Sequence, residues 1–347
     1  MIRSLDKIGD CDFCGNREVY IYDLQRDQGL DSRFNDVISI FKLSNDLPND
    51  YPPHKLVMLK DEFANNWNIF NGLSSEKIYT LLKSLLEVNY SEKISLLNST
   101  VGILEFINEE YLNNNSLLKN HTWEDFVNYL KHINRFHLKH INLDVLSIYI
   151  ERLSTTLEDD LFYRARISNE EELDFAKMGA PPARFAKAGR ANSEGISHLY
   201  LASDIETVIK EIRPSSSDCI FIGRFPVPEN TKVVDFRILK KISVFDFEDP
   251  AMFAINIDNF NKMSNEISKP VRSGDSKLDY LPTQFIVDFI KSRNETLVEP
   301  IRGIVFDSTL STSGYNLMIF NPEFISCNRI IKKSISEISY SHIPIED

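Results

Sequence analysis

The chain has 347 residues, and its 42% hydrophobic content, with 23 Phe and 13 Tyr, supplies enough apolar surface for buried cores and excludes a wholly disordered protein. A net charge of −12, from 51 acidic and 39 basic side chains, opposes binding to an extended polyanion, so we expect no nucleic-acid partner. No apolar stretch approaches the roughly 20 residues that a membrane-spanning helix needs, and we expect no membrane partner.

The first segment, MIRSLDKIGDCDFCG, is charged and lacks the apolar run of a secretory signal, which predicts a cytoplasmic protein. In that reducing compartment the four cysteines are expected to be thiols or metal ligands. Cys11 and Cys14 form half of a zinc site, but no further ligands are evident; the alternative is a pair of reduced thiols in a turn closed by Gly15. We therefore predict that the protein binds no metal; the alternative is a site that uses Cys11 and Cys14 as ligands. Cys219 and Cys327 are expected to be buried thiols.

The first half of the chain has a helical composition, because residues 62–160 contain only two glycines, Gly72 and Gly102, and glycine disfavours helices. Apolar residues spaced three and four apart predict helices over residues 75–90, 101–112 and 123–136. The last of these has Thr122 as its N-cap and Asp125 in its first turn. We predict a mostly helical domain over residues 1–158.

Short β-prone runs separated by Gly and Pro begin after Asp160 and predict a mixed α/β domain over residues 159–347, giving an α+β protein. The predicted strands are residues 197–202, 219–225, 232–236, 303–306 and 316–320. Ser203 and Glu206 predict a capping box for a helix that Pro214 ends. Its predicted apolar face consists of Ile205, Val208, Ile209 and Ile212. A further helix is predicted to follow Pro282.

A segment rich in Gly, Pro and Arg, around the first of these strands, contains the residues best suited to chemistry. The guanidinium groups of Arg164 and Arg190 suit phosphate oxygens, and Tyr200 offers a ring face to a heterocycle. Glu211 lies beside the apolar helix face, where a carboxylate can stabilise an oxocarbenium ion. The alternative interpretation is that the arginines are solvated or salt-bridged on the surface and that Glu211 is an exposed carboxylate shortly before Arg213. No G-x-G pair or G-x-x-x-x-G-K occurs, which disfavours Rossmann and P-loop sites.

The strings AGRAN, GISHLYLA, EIRP, YLPTQ, GIVFDS and GYNLMIF, in this order over roughly residues 160–330, resemble the RES domain, named for an Arg, a Glu and a Ser. The resemblance implies a fold similar to that of the ADP-ribosyltransferases. It also implies an enzyme whose substrate is NAD and which cleaves the nicotinamide–ribosyl bond. The acceptor of the ADP-ribosyl group is water or phosphate, and no cofactor is tightly bound.

The resemblance also assigns roles by position. The implied catalytic residues are Arg190, Tyr200, Glu211 and Ser308, and the implied NAD-binding residues are Arg164, Arg190, Tyr200 and Asn192. Ser311, in the string Ser311-Thr312-Ser313, is the alternative to Ser308. In ADP-ribosyltransferases the Glu follows such a string, whereas here Glu211 precedes it.

Membership of this family would make the protein a toxin or defence effector with an antitoxin or defence-system partner. The alternatives are transfer of ADP-ribose to a protein and a non-catalytic binding module. The first half resembles the HEPN-like domain of longer RES proteins, and Arg135 and His140 fit the R-x4-H spacing of HEPN ribonucleases; packing and a solvated charge are the simpler interpretation of that pair. A homo-oligomer is left open.

Overall fold

A computed structural model describes residues 7–23, 26–27, 29–67, 69–70, 72–269 and 276–338. The chain forms two compact units, the first comprising Met1–Asn120 with Ile242–Asp258 and the second His121–Lys241 with Asn259–Asp347. The predicted boundary before Asp159 therefore falls inside the second unit. None of the helices in the described ranges is long and apolar enough to cross a membrane.

The first unit is mostly helical and has two small antiparallel sheets. Its helices are α1 (Leu30–Ser39), α2 (Leu59–Asn65), α3 (Ser75–Leu86), α4 (Ile94–Leu97) and α5 (Glu109–Asn115). Its strands are β1 (Ile8–Gly9), paired with β2 (Val19–Tyr20), and β3 (Phe41–Leu43), paired with β4 (Val101–Ile103). Trp67 contacts the rings of Phe41 on β3, Phe63 on α2 and Phe253, and these contacts form part of the core of this unit.

Two of the predicted helices lie in this unit. The helix predicted over residues 75–90 is confirmed as α3, which ends earlier, at Leu86. The helix predicted over residues 101–112 is wrong at its start, because Val101 and Ile103 are buried in β4 and pair with β3. Helix begins there only at Glu109.

The second unit is built on an eight-stranded sheet in the order β12-β8-β6-β7-β11-β10-β9-β5. Its strands are β5 (Ser154–Thr156), β6 (Leu161–Ile167), β7 (Leu199–Ala202), β8 (Cys219–Pro226), β9 (Lys232–Asp235), β10 (Gly303–Asp307), β11 (Tyr315–Ile319) and β12 (Arg329–Ser334). Neighbouring strands are antiparallel except for β9 and β10, which are parallel. The five predicted strands are confirmed as β7 to β11, and the chain has the predicted α+β fold.

The second unit also contains helices. They are α6 (Trp123–His132), α7 (Leu143–Leu153), α8 (Phe175–Met178), α9 (Ile205–Ile212), α10 (Pro250–Ser268) and α11 (Leu281–Arg293); α10 begins in the first unit and ends in the second. The helix predicted to follow Pro282 is α11. The predicted cap of α6 is confirmed, since Thr122 and Asp125 form a capping box, but the helix ends at His132 rather than at residue 136.

Helix α9 connects β7 to β8 and has the predicted apolar face. Val208 belongs to a buried cluster on one face of the sheet, and Ile205, Ile209 and Ile212 pack against that cluster. The predicted capping box is wrong by one residue. Asp204 is the N-cap and accepts a hydrogen bond from the Thr207 amide, whereas Ser203 hydrogen-bonds the backbone of Tyr315 and is not available to the helix.

The sheet opens between β6 and β7, and this opening positions the candidate site. Strand β6 pairs with β8 along its whole length, from Leu161 to Ile167. In the described part of the chain it shares a single pair with β7, Tyr163 with Ala202. Beyond that pair the Arg164 side chain donates to the Tyr200 carbonyl over 2.9 Å, where a ladder bond would otherwise lie.

Candidate active site

A cavity of about 320 Å³ lies where β6 and β7 separate. Five of the six predicted site residues line it: Arg164, Arg190, Asn192, Tyr200 and Glu211. The sixth, Ser308, contacts the cavity through a hydrogen bond to Glu211. The fold therefore brings together residues that are spread over more than a third of the sequence.

Glu211 lies in the last turn of α9, and two donors fix its carboxylate. The Ser308 hydroxyl donates to Oε1 over 2.7 Å, and the Asn316 amide donates to the same oxygen over 2.8 Å. No donor among the described residues binds Oε2. One carboxylate oxygen is thus held by the protein, and the Glu211 side chain lines the cavity.

Ser308, not Ser311, is the serine that reaches Glu211. The Ser308 side chain is 5% exposed, and its hydroxyl also accepts a hydrogen bond from the Leu310 amide, which sets its direction. Ser311 instead accepts a hydrogen bond from the Gly314 amide, and both serines line a neighbouring polar cavity. The role that the family resemblance assigns to Ser308 stays a prediction.

Arg164 places a positive charge in the cavity. Burial, and secondarily the charge of Arg166, lowers the pKa of Arg164 to about 10, so the guanidinium stays charged at neutral pH. Its NH1 group donates to the Tyr200 carbonyl, and within the described residues its Nε makes no hydrogen bond and no acidic side chain pairs with it. A half-buried cation of this kind is stabilised by an anionic ligand.

Arg190 lies in a loop held by the start of α11. Gln284 donates to the Gly189 carbonyl over 2.8 Å, and the Thr283 hydroxyl donates to the Arg190 carbonyl. The Arg190 guanidinium lies 5.3 Å from the Tyr280 ring centroid. Residues of the string YLPTQ thus position the Arg190 loop.

Asn192, in the same loop, pairs with Tyr200 on β7. The Tyr200 hydroxyl donates to Asn192 Oδ1 over 2.8 Å, and burial raises the pKa of Tyr200, so its phenol is neutral. The Asn192 amide donates to the carbonyls of Lys187, Ser193 and Ile196. Asn192 therefore shapes the loop through its amide, while Tyr200 lines the cavity.

The sequence did not indicate several residues of the cavity wall. Asn316 lies in the quoted string GYNLMIF, one residue after Tyr315 on β11, and its polar side chain within an apolar strand was a usable signal. Lys269, after the C-terminal end of α10, carried no such signal. It reaches the cavity only through the packing of the second unit.

Comparison with known protein families matches the second half of the chain. Residues 161–340 match the RES domain. The chain belongs to the RES domain family. The match begins at the first residue of β6, so every predicted site residue lies within it.

Other comparisons add little to the RES assignment. No curated protein matches the chain. Among solved structures, the chain is similar to one from the M. tuberculosis MbcT–MbcA toxin–antitoxin complex, with 13% identity, a TM-score of 0.33, and coverage of 55% of this chain and 94% of that chain.

The cysteines form no disulfide in the described structure. Cys11 and Cys14 lie in the turn between β1 and β2, where a hydrogen bond from the Cys14 backbone lowers the pKa of Cys11. The described residues hold no group of three or more His, Cys, Asp or Glu side chains able to bind a metal ion. Cys219 and Cys327 are half-buried, rather than fully buried as predicted.

The R-x4-H residues lie in the turn after α6, not on a helix. Arg135 is exposed, and the His140 ring packs at a tilt against the rings of His121 and Tyr129, with ring centroids 4.0 and 4.1 Å away. His140 thus has a packing role in this turn. The ribonuclease interpretation remains an untested prediction.

Proposed function

We propose that this RES-domain protein cleaves the nicotinamide–ribosyl bond of NAD. The observation that carries the proposal is the pairing, in one cavity, of an oriented carboxylate with a half-buried cation that has no acidic partner among the described residues. Glu211 supplies the first and Arg164 the second. A dinucleotide brings both complements: a pyrophosphate for the arginine and a ribose that becomes positively charged for the glutamate.

In the proposed step the bond between ribose C1′ and the nicotinamide nitrogen breaks, and its electron pair remains on nicotinamide, which leaves as a neutral molecule. Positive charge then develops on the ribose ring, where Oε2 of Glu211 stabilises it. Ser308 and Asn316 act by holding Oε1, so the carboxylate is oriented before the charge appears. Water adds to C1′ with loss of a proton and gives ADP-ribose; phosphate gives the corresponding 1-phosphate.

The test is to incubate the purified full chain with NAD, with and without phosphate, and identify the products by mass. We expect nicotinamide release by the natural protein and a loss of release in Glu211→Gln. The second product identifies the acceptor as water or phosphate, and label on a protein would instead indicate ADP-ribosyl transfer. Absence of NAD consumption by folded protein would overturn the proposal.

We further propose that this activity makes the protein a toxin or defence effector, since loss of NAD stops metabolism in the cell that contains the enzyme. Induced expression should arrest growth and lower cellular NAD, and expression of Glu211→Gln to the same level should do neither. A partner that neutralises the protein would restore growth when co-expressed. Arrest by both proteins would separate toxicity from the cavity.

A further inference from the structure

A second cavity, of about 650 Å³, adjoins the candidate active site within the second unit. Arg190 and Lys269 line both cavities. The opposite wall is helix α6, which contributes Trp123, Asn128 and Lys131. We call this space the α6 cavity. Helix α6 precedes residue 161, so this wall lies outside the part of the chain that matches the RES domain.

The size of the first cavity requires such an extension if the substrate is a dinucleotide. Its volume of about 320 Å³ is at the lower end of the 300–1,000 Å³ typical of ligand pockets, roughly enough for one drug-sized molecule. A dinucleotide consists of two nucleosides joined by a pyrophosphate. One nucleoside fits beside Glu211, and the other needs a neighbouring space.

The guanidinium of Arg190, at the junction, suits the pyrophosphate. Arg190 and Lys269 line both cavities, Lys269 pairs with the Glu266 carboxylate on the α6 side, and Arg164 lies on the side of Glu211. A phosphate group contacted by Arg190 would direct one nucleoside toward Glu211 and the other toward α6. The junction thus separates the reacting half of the molecule from the half that only binds.

The α6 cavity has groups that match a purine nucleoside. Trp123, Val127 and Pro282 provide an apolar wall for a flat base. The Asn128 carboxamide is exposed and makes no hydrogen bond to a described residue, and an Asn side chain can pair with both N6 and N7 of adenine. Lys131 is held by Asp279 over 2.6 Å, which fixes the polar rim.

We infer that the α6 cavity binds the adenosine half of NAD. The inference rests on the proposed function, and it assigns part of the substrate site to a helix that precedes the predicted RES domain of residues 159–347. The adenosine half takes no part in bond breaking, so this cavity should act on substrate affinity and not on the chemical step.

The test uses the full chain and two substrates, NAD and nicotinamide mononucleotide, which lacks the adenosine half. Asn128→Trp should fill the α6 cavity and raise KM for NAD at least about tenfold, with kcat unchanged and with KM for the mononucleotide unchanged. Asn128→Ala should raise KM for NAD by a smaller factor. Lys77→Trp, at an exposed position on α3, is the control and should match the natural protein.

Two results would overturn the inference: an unchanged KM for NAD in Asn128→Trp, or an equal increase for both substrates, which would indicate general damage to the fold. Calorimetry with ADP separates this inference from the proposed function. If the natural protein binds ADP, Asn128→Trp weakens that binding at least about tenfold, and NAD is not consumed, then the proposed reaction is wrong and the nucleotide subsite stands. If the natural protein does not bind ADP, the subsite is wrong.

Discussion

The hydroxyl of Ser308 and the carboxylate of Glu211 lie 97 positions apart in the sequence and are joined by a hydrogen bond of 2.7 Å. Ser308 follows β10, and Glu211 lies in the last turn of α9, so the bond links the β10–β11 hairpin to the helix that packs over the sheet. Asn316, on β11 of the same hairpin, binds the same carboxylate oxygen. One hairpin therefore supplies both hydrogen bonds that orient the Glu211 carboxylate.

The first prediction concerns the carboxylate itself. Glu211→Gln keeps the size of the side chain and removes its charge, so the developing positive charge on the ribose loses its stabilising partner. We expect kcat for NAD to fall by at least about 100-fold, with little change in NAD affinity. Nicotinamide release measures the first quantity, and calorimetry measures the second.

Glu206→Gln is the matched control for this experiment. Glu206 lies on the same helix and forms an exposed ion pair with Lys210, and such pairs contribute little to stability. The control should keep its full turnover. Near-normal turnover in Glu211→Gln would remove Glu211 from the mechanism.

The second prediction separates the two donors that hold Glu211. Ser308→Ala and Asn316→Ala should each lower kcat about tenfold and leave KM nearly unchanged, because each removes one hydrogen bond to a charged group. Their effects should not add in the double variant, since both donors orient the same oxygen.

Ser311→Ala is the control for these variants, because Ser311 lies in the same hairpin and does not contact Glu211. An Asn316→Ala protein with normal kcat would show that Ser308 alone positions the carboxylate. An Asn316→Asp variant places a second carboxylate beside Glu211 and should lower kcat more than Asn316→Ala does.

The third prediction concerns Arg164, the half-buried cation of the cavity. Arg164→Met should weaken NAD binding by roughly 10- to 100-fold, because hydrogen bonds to charged groups contribute about 1.5–3 kcal/mol. Arg164→Lys should restore part of the affinity, since a lysine keeps the charge and loses the planar fork. Calorimetry in a Glu211→Gln background avoids turnover during the titration.

Arg184→Met serves as the comparison, since the exposed Arg184 packs on Phe185 and does not line the cavity. It should bind NAD as tightly as the parent protein. Equal affinities for Arg164→Met and the parent would place the pyrophosphate away from Arg164.

Much of the second unit could be predicted because its signals are local. The apolar face of α9 and the five strands follow from side-chain periodicity, which burial on one face of the sheet enforces. The N-cap of α9 was ambiguous because Ser203 and Asp204 are both good caps. The Tyr315 backbone, 112 residues away, binds Ser203 and leaves the role to Asp204.

Other features depend on distant contacts and gave no local signal. The apolar run at Val101–Ile103 fits a helix or a buried strand equally well, and its pairing with β3 decides for the strand. The same limit applies to the cavities. Nothing near Lys269 or Asn128 in the sequence indicates that these residues line the spaces on either side of Arg190.

The last prediction concerns stability and comes from a histidine inside the second unit. His198, which precedes β7, is 3% exposed, and neither of its ring nitrogens has a hydrogen-bond partner among the described residues. Its ring packs edge-to-face on Phe320, 5.9 Å between centroids. Burial, with a smaller effect from the charge of Lys291, lowers the pKa of His198 to about 4 from its ordinary 6.5.

His198 is therefore neutral in the folded protein at pH values where it is protonated in the unfolded chain. Between pH 6.5 and 4 the unfolded state binds the extra proton, so the free energy of unfolding should decrease as the pH falls, by up to about 3 kcal/mol across this window. Urea unfolding at a series of pH values measures this slope. His198→Leu should flatten the slope because it removes the titrating group, whereas His54→Gln, at an exposed position, should leave it unchanged. An identical slope in His198→Leu and the natural protein would assign the acid sensitivity to other groups.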